Sequence, residues 1–300
     1  MNFPISGVTV NPIALVLIGF IVGVLGGFFG VGGGFLAGPF MFWIGVPGNF
    51  VVGTDLAHIT GKSIVAFRRH RALGNVDIKL GFIMVIGTVV GVELGAQIIE
   101  NMEARHSVDL FIGILYVVIL LLVGIFTAFE SIRTIRRIKS SDNPEGREIL
   151  GFQKITKAVR RIKIAPMISF PNSGIEAISL WVVLGVGLAA GLITGMLGVG
   201  GGFIRMPMFI YILGVPTHVA VGTDLFEIIF SAGFGTITHS LKGNVDIIMA
   251  LVMQTGAAVG AQIGSIATQY FRGPWIRLMF SVLPFIGVLL VVLKLFNGGM

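Results

Sequence analysis

Residues 30–35 read Gly-Val-Gly-Gly-Gly-Phe, and residues 198–203 repeat the same six residues in the same order. A run of glycines breaks a helix and exposes backbone N–H groups at the start of the next helix. A short apolar run follows each cluster, at residues 35–46 and 203–215. The duplicated stretch therefore predicts two broken helices, each with a short second part.

Two further blocks are duplicated in the same order along the chain. Val52-Gly53-Thr54-Asp55-Leu56 matches residues 221–225, and Gly74-Asn75-Val76-Asp77-Ile78 matches residues 243–247. Glycines spaced four residues apart also recur, at 87, 91 and 95 and again at 256, 260 and 264. In lipid, such spacings let helix backbones approach closely. The blocks indicate an internal duplication, and the spaced glycines indicate helix-packing positions.

The composition is that of a membrane protein. Hydrophobic residues make up 55% of the chain and charged residues 12%, whereas soluble domains contain ~25% charged residues. These proportions exclude a soluble enzyme, a disordered chain and a fibrous repeat. Because the chain contains no cysteine, disulfides, thiolate metal sites and cysteine nucleophiles are excluded as well.

The chain contains five apolar runs in each half, at residues 11–29, 35–46, 50–67, 78–99 and 107–129, then 178–197, 203–215, 219–238, 246–267 and 275–296. Most are near the ~20 residues that a helix needs to cross ~30 Å of hydrocarbon. The sequence therefore predicts an all-α polytopic membrane protein made of two homologous repeats. The repeats occupy residues 1–130 and 178–300, and a connector at 131–177 joins them.

The connector carries the basic excess of the chain. Residues 131–170 hold 10 Lys and Arg against 3 Asp and Glu, which equals the formal net charge of +7 of the whole protein. This confinement to one loop argues against a general affinity for nucleic acid. Apolar residues recur every three or four positions from Ile149 to Ile162, with lysines and arginines between them. The pattern predicts a basic amphipathic helix on anionic cytoplasmic lipids, and docking on protein is the alternative.

The basic residues also predict orientation. Arg68, Arg69, Arg71 and the connector should face the cytoplasm. If all five runs of a half cross the membrane, the two repeats are inverted and both termini lie outside. If each broken pair makes a single crossing, the repeats are parallel and both termini lie inside. The remaining basic residues favour the inverted arrangement.

Two inverted copies would aim two helix N-termini at one point. Such N-termini attract anions, and duplicated short segments after glycine breaks indicate a transporter's midplane site. We therefore predict an anion site in which substrate contacts come from the backbone, two hydroxyls and one cation, namely Gly32, Gly33, Gly34, Gly200, Gly201, Gly202, Thr54, Thr223 and Arg205. The alternative is that the glycines serve only close helix crossing.

Ionisable residues inside apolar runs are costly and therefore functional candidates. Asp55, His58 and Lys62 share one face of the third run, Asp224 and Glu227 occupy its counterpart, and Glu93 lies in the fourth run. We predict that the carboxylates and His58 are candidates for coupling a proton to transport. An arginine fork at 205 suits an oxyanion. The alternative is that Asp55 neutralises Lys62 and that Arg205 extends to the interface. Asp77 and Asp246, each with a preceding asparagine, are predicted helix caps.

At the duplicated blocks the sequence resembles the sulfite exporter TauE/SafE family of bacterial permeases. The resemblance covers residues 12–130 and 178–296. It implies secondary transport of a small sulfur-containing anion, such as sulfite, sulfoacetate or thiosulfate, across the bacterial inner membrane. From the residues themselves we predict an anion-selective carrier whose repeats rock about a midplane site, without a cofactor or metal. A passive anion channel and an intramembrane hydrolase using His58 are the alternatives.

Overall fold

A computed structural model describes residues 1–103, 108–139, 153–197 and 201–296. The helices in the first half of the chain are α1 (Pro12–Phe29), α2 (Gly34–Trp43), α3 (Gly48–Ala72), α4 (Ile78–Glu103) and α5 (Val108–Lys139). The connector contains α6 (Gln153–Arg160). The second half contains α7 (Leu180–Leu197), α8 (Gly202–Pro207), α9 (Thr217–Leu241), α10 (Ile247–Ala267) and α11 (Gly273–Phe296). The predicted all-α membrane fold is confirmed.

Five of the described helical segments are long and apolar enough to cross a membrane: Pro12–Phe29, Ile78–Gly95, Val117–Arg136, Thr217–Leu241 and Ile247–Tyr270. Shorter apolar helices lie at Leu180–Met196, Gly202–Leu213 and Gly273–Leu289. The chain is therefore a multi-pass membrane protein. Helix α3 extends five residues beyond the predicted run because Arg68, Arg69 and Arg71 continue it as a polar last turn.

The glycine clusters break the helices as predicted. Gly30, Gly32 and Gly33 adopt left-handed backbone angles, with φ of 74°, 68° and 70°, a conformation that glycine adopts without the steric cost of a Cβ. The helix that follows, α2, has only 10 residues. In the second half Gly201 has φ 65°, and α8 has 6 residues before a π-helical turn at Met208–Leu213.

The chain forms two compact units, and each unit takes segments from both halves of the sequence. The first unit comprises Met1–Val85, Gly198–Gly202 and Val221–Tyr270. The second comprises Ile86–Leu197, Phe203–Ala220 and Phe271–Met300. The compact units therefore do not coincide with the two sequence repeats.

In the first unit, α1 and α10 pack backbone against backbone. A Cβ built on Gly23 would lie 2.5 Å from the carbonyl oxygen of Ala257 and 2.8 Å from its Cα. Gly256, Gly260 and Gly264 in turn lie against the backbone of α1. The spaced glycines of α10 are therefore packing positions, as the sequence predicts.

Also in the first unit, α3 and α9 run antiparallel. The ring of Phe67 lies 5.4 Å from that of Phe226, while Leu56, earlier in α3, lies against Gly235, later in α9. These helices are the third segments of the two repeats. Their opposite directions support the inverted arrangement.

In the second unit, α4 packs along α7 in the way that α10 packs along α1. Gly87, Gly91 and Gly95 of α4 lie against the backbone of α7 at Leu184, Leu188 and Leu192. Helix α5 packs along α11 in the same unit. The second set of spaced glycines therefore also forms a close helix seam.

Two antiparallel hairpins were not predicted from the sequence: β1 (Asn2–Phe3) with β2 (Val8–Thr9), and β3 (Met167–Phe170) with β4 (Ile175–Ser179). One precedes α1 and the other α7, so the hairpins occupy the same place in the two repeats. Each buries a phenylalanine completely, Phe3 and Phe170.

The connector helix α6 docks on protein. The Thr156 hydroxyl donates to the carbonyl oxygen of Tyr211 at 3.1 Å, and Arg160 Nη2 donates to that of Leu213 at 3.4 Å. Docking on protein was the alternative to the predicted position of this helix on anionic lipids. Ile155 and Ile162 remain 40% and 42% exposed, so an apolar edge beside basic residues stays uncovered. Residues 149–152 of the predicted helix lie outside the described residues.

Candidate functional site

The first glycine break lies beside the middle of two buried helices. A Cβ built on Gly32 would lie 3.2 Å from Ile59 of α3 and 3.2 Å from Ile228 of α9. Both isoleucines are buried, in a small apolar cluster with Ala232. Because Ile59 and Ile228 are central in their helices, the break lies at mid-height of the first unit.

The two glycine clusters meet in this unit. A Cβ built on Gly202 would lie 2.5 Å from the carbonyl oxygen of Val31 and 2.6 Å from its Cα. Only glycine at 202 permits this backbone contact. Gly201 is buried next to it, and Gly200 lies outside the described residues.

Helix α2 begins inside the break. Its first helical bonds run from the N–H groups of Leu36 and Ala37 to the carbonyl oxygen of Gly33, at 3.1 and 3.2 Å. The N–H groups of Gly34 and Phe35 precede these bonds and have no partner within the helix, as at any helix start. The aligned peptide dipoles place partial positive charge there, which suits an anion.

Helix α3 carries three buried polar residues, and one of them reaches this break. Asp55, His58 and Lys62 are 6%, 1% and 2% exposed. His58 Nδ1 lies 3.3 Å from Asp55 Oδ1, close enough for a hydrogen bond. A Cβ built on Gly33 would lie 3.1 Å from Lys62 Nζ. The ammonium group therefore extends to the glycine break.

Helix α9 carries the corresponding acidic positions. Asp224 and Glu227 are both completely buried. The Ser231 hydroxyl donates to Glu227 Oε2 at 3.3 Å. The structure thus places four of the five predicted coupling residues, Asp55, His58, Asp224 and Glu227, in the interior of the first unit.

The two predicted threonines are not brought together. The Thr54 hydroxyl oxygen accepts the backbone N–H of Asp246, and that of Thr223 accepts the N–H of Asp77. Phe67 of α3 contacts Phe226, which lies one turn after Thr223 in α9. Thr54 lies about 20 Å from Phe67 along α3, so the two threonines are at different heights. A single small anion therefore cannot contact both hydroxyls at once.

Asp77 and Asp246 cap the N-termini of α4 and α10, as predicted. Asp77 Oδ1 accepts the N–H of Leu80 at 3.0 Å, and Asp246 Oδ1 accepts that of Met249 at 3.1 Å. Asp246 also accepts from the Ser6 hydroxyl of the β1–β2 hairpin at 2.7 Å. These carboxylates are structural.

The second unit contains the two other predicted site residues. Arg205 of α8 is completely buried. Glu93 differs from the expectation of a buried carboxylate: it lies on an exposed face of α4, where its Oε1 accepts from Gln97 Nε2 at 2.9 Å. The hydropathy pattern could not show which face of α4 points outward.

The second unit also contains a buried polar network that was not predicted from the sequence. Glu130 Oε2 accepts from the Tyr211 hydroxyl at 3.0 Å and lies 3.3 Å from Arg277 Nε. Arg277 Nη1 donates to Thr217 at 2.7 Å. The available signal was an acidic residue in α5 and an arginine in α11. Within the described ranges, no group of three or more His, Cys, Asp or Glu residues could hold a metal ion.

Comparisons with known proteins give a consistent result. The family model described as "Sulfite exporter TauE/SafE" matches residues 15–291. "Probable membrane transporter protein YunE" of Bacillus subtilis is 26% identical over 301 residues, covering 95% of this chain and 99% of that protein. "Probable membrane transporter protein MJ0441" of Methanocaldococcus jannaschii is 26% identical, covering 89% of this chain and 90% of that protein.

"Sulfite exporter TauE/SafE family protein 3" of Arabidopsis thaliana is 36% identical over 78 residues, covering 26% of this chain and 16% of that protein. No solved structure matches the chain at a significant level.

Proposed function

The chain belongs to the sulfite exporter TauE/SafE family of membrane transporters, and on that premise we propose that it is a secondary carrier of a small sulfur-containing anion such as sulfite, thiosulfate or sulfoacetate. The observation that carries the proposal is the contact of the two glycine clusters, Gly202 against Val31, at mid-height of the first unit. Broken helices at membrane depth are tolerated where they are buried or line a cavity, and their N-termini favour anions.

In this proposal the anion is held mainly by backbone N–H groups, those of Gly32, Gly33 and Gly34 in the first repeat and of residues 200–202 in the second. Arg205, completely buried, supplies a planar fork that matches an oxyanion. Thr54 and Thr223 do not both belong to this site, because their hydroxyls are too far apart for one small anion and each oxygen already accepts a backbone N–H.

We propose that transport is coupled to a proton through the buried groups of the first unit. Asp55 with its partner His58, and Asp224 with Glu227, occupy matching positions of α3 and α9. Burying a charged group in a membrane costs free energy, so a residue of this kind is a functional candidate. Glu93 is the weaker candidate because it is exposed on α4.

Alternating access has to preserve the seam between α1 and α10. These helices come from different repeats, and their backbones touch at Gly23 and Ala257. Packing of this closeness resists separation. The repeats therefore cannot part along that seam, and any rocking motion must move α1 and α10 together.

A thermal-shift screen of the purified protein tests the proposal. Sulfite, thiosulfate and sulfoacetate should each be compared with sulfate and acetate at one pH and one ionic strength. A ligand present at 100 times its dissociation constant stabilises the folded state by about 2.7 kcal/mol. We expect at least one sulfur-containing anion to raise Tm above the value in acetate. Equal Tm values in all five anions would contradict the proposed substrate class.

A further inference from the structure

Two glycines make room for the side chain of Lys62. A Cβ built on Gly33 would lie 3.1 Å from Lys62 Nζ, and one built on Gly26 would lie 3.6 Å from Lys62 Cε. Gly26 belongs to α1 and Gly33 to the break before α2. The lysine therefore runs through a slot between α1 and the glycine break and ends at the N-terminus of α2.

The ammonium group is buried without a hydrogen-bond partner among the described residues. Lys62 is 2% exposed, and across the described residues Nζ has no hydrogen-bond partner. Asp55, two turns earlier on the same helix, is bonded to His58 instead. Val22 of α1, which lies close to Gly33 beside the lysine, is apolar. Asp55 therefore acts on Lys62 only through its charge and leaves the hydrogen bonds of Nζ unmade.

A second source of positive charge lies at the same place. Helix α2 has 10 residues, and the N–H groups of Gly34 and Phe35 precede its first internal bonds. A helix N-terminus and an ammonium repel each other unless an anion lies between them. A buried cation aimed at a helix N-terminus is thus an arrangement that an anion would complete.

We propose that Lys62 Nζ and the backbone N–H groups at the start of α2 form an oxyanion-binding site in the first repeat. The ligand is a small sulfur oxyanion, with one oxygen facing Lys62 and others facing the amides. This site deepens the proposed function and rests on it. It adds a cation from α3 to the glycine backbone of the first repeat.

The test is isothermal titration calorimetry of purified protein with sulfite and with thiosulfate, at constant pH and ionic strength. Lys62→Gln and Lys62→Met remove the charge at similar side-chain length, and Lys62→Arg keeps it. Lys242→Gln makes the same charge change at an exposed turn and is the matched control. Loss of one charge-assisted contact should weaken binding roughly 10- to 150-fold. Lys62→Arg should lose less, and Lys242→Gln should bind like the parent.

Thermal unfolding without ligand separates a binding lysine from a structural one. If Lys62 serves the anion, Lys62→Met should not lower Tm, because it removes a buried ammonium whose hydrogen bonds the protein does not supply. Loss of folding in both neutral variants would overturn the site, since the lysine would then stabilise the protein itself.

Two binding results would also be decisive. If the parent binds sulfite or thiosulfate and both neutral variants bind as tightly as Lys242→Gln, the lysine site is overturned while the proposed function stands. If the parent binds neither anion in calorimetry, the proposed site and the proposed function both fail.

Discussion

The Thr54 hydroxyl oxygen in α3 accepts a hydrogen bond of 3.0 Å from the backbone N–H of Asp246, at the start of α10. The second repeat makes the corresponding bond: the Thr223 hydroxyl oxygen in α9 accepts the backbone N–H of Asp77 at 2.9 Å. Each Val-Gly-Thr-Asp block thus holds the Gly-Asn-Val-Asp block of the other repeat. Such an exchange is what a two-fold relation between repeats produces, and it gives two of the duplicated motifs a structural reason.

The threonine contact should contribute measurably to stability. Thr54→Ala leaves the buried N–H of Asp246 without its acceptor, which costs about 1–3 kcal/mol, so Tm should fall by several degrees. Thr54→Ser keeps the hydroxyl and should largely preserve Tm. Thr255→Ala, at an exposed position of α10, controls for loss of a hydroxyl. Equal Tm values for Thr54→Ala and Thr255→Ala in thermal unfolding would show that the exchange contributes nothing.

Much of the helical framework was predictable from the sequence, because its causes are local. Run length and hydropathy placed the long helices, the glycine clusters placed the breaks, and the Asp77 and Asp246 caps followed from residue type at a helix start. The four-residue glycine spacing identified the packing faces before their partners were known.

The remainder depends on contacts between distant residues. Lys62 lies in α3 and Gly33 in the break before α2, so the sequence alone does not show that they are close in space. Periodicity alone also could not separate the exposed Glu93 from the buried Glu227. The short hairpins before α1 and α7 lack the length that makes a strand pattern recognisable.

The seam between α1 and α10 should not tolerate a methyl group. Gly23→Ala would place its Cβ 2.5 Å from the carbonyl oxygen of Ala257, and overpacking of this kind costs about 1–3 kcal/mol. We expect a lower Tm and a lower yield of monodisperse protein. Gly185→Ala in α7 is the control, since nothing lies within 4 Å of its Cβ. Identical Tm values for the two variants would argue against a close seam.

The inverted arrangement predicts that the β1–β2 hairpin and the connector lie on opposite sides of the membrane. Thr9→Cys and Lys163→Cys place single thiols at exposed positions of a chain that has no cysteine. An impermeant maleimide should label Thr9→Cys on intact cells, and should label Lys163→Cys only after lysis. Equal labelling of both on intact cells would contradict inversion.

Arg205 should be required for anion affinity. Arg205→Gln should weaken binding by about 1.5–3 kcal/mol, roughly 10- to 150-fold, because it removes a charge-assisted contact. Arg205→Lys should be milder, since it keeps the charge and loses the planar fork. Calorimetry at constant pH measures both, with the exposed Arg272→Gln as control. Unchanged affinity in Arg205→Gln would make this arginine structural.

Transport should require the space that Gly33 leaves free and not only its positive φ. Gly33→Ala forces a methyl group to within 2.6 Å of Val22 Cγ1 and toward Lys62. Gly74→Ala is a matched control, because Gly74 has a similar φ of 75° and open space around its Cβ. We expect Gly33→Ala to insert but to lose most of its transport rate per inserted protein, while Gly74→Ala retains most of it. Equal rates would leave the break with a packing role.

Uptake of sulfur-labelled sulfite and thiosulfate into proteoliposomes containing the parent chain tests the central claim most directly. Uptake is compared with and without an imposed proton gradient. It is also compared between vesicles containing the parent chain and vesicles containing Gly33→Ala. A coupled carrier should accumulate at least one of these anions against its concentration gradient, only when the proton gradient is present, and without altering it chemically. Equal anion concentrations on both sides, with or without the proton gradient, would indicate a channel. Chemical conversion of the anion would indicate an enzyme. No uptake above that of protein-free vesicles would contradict the account.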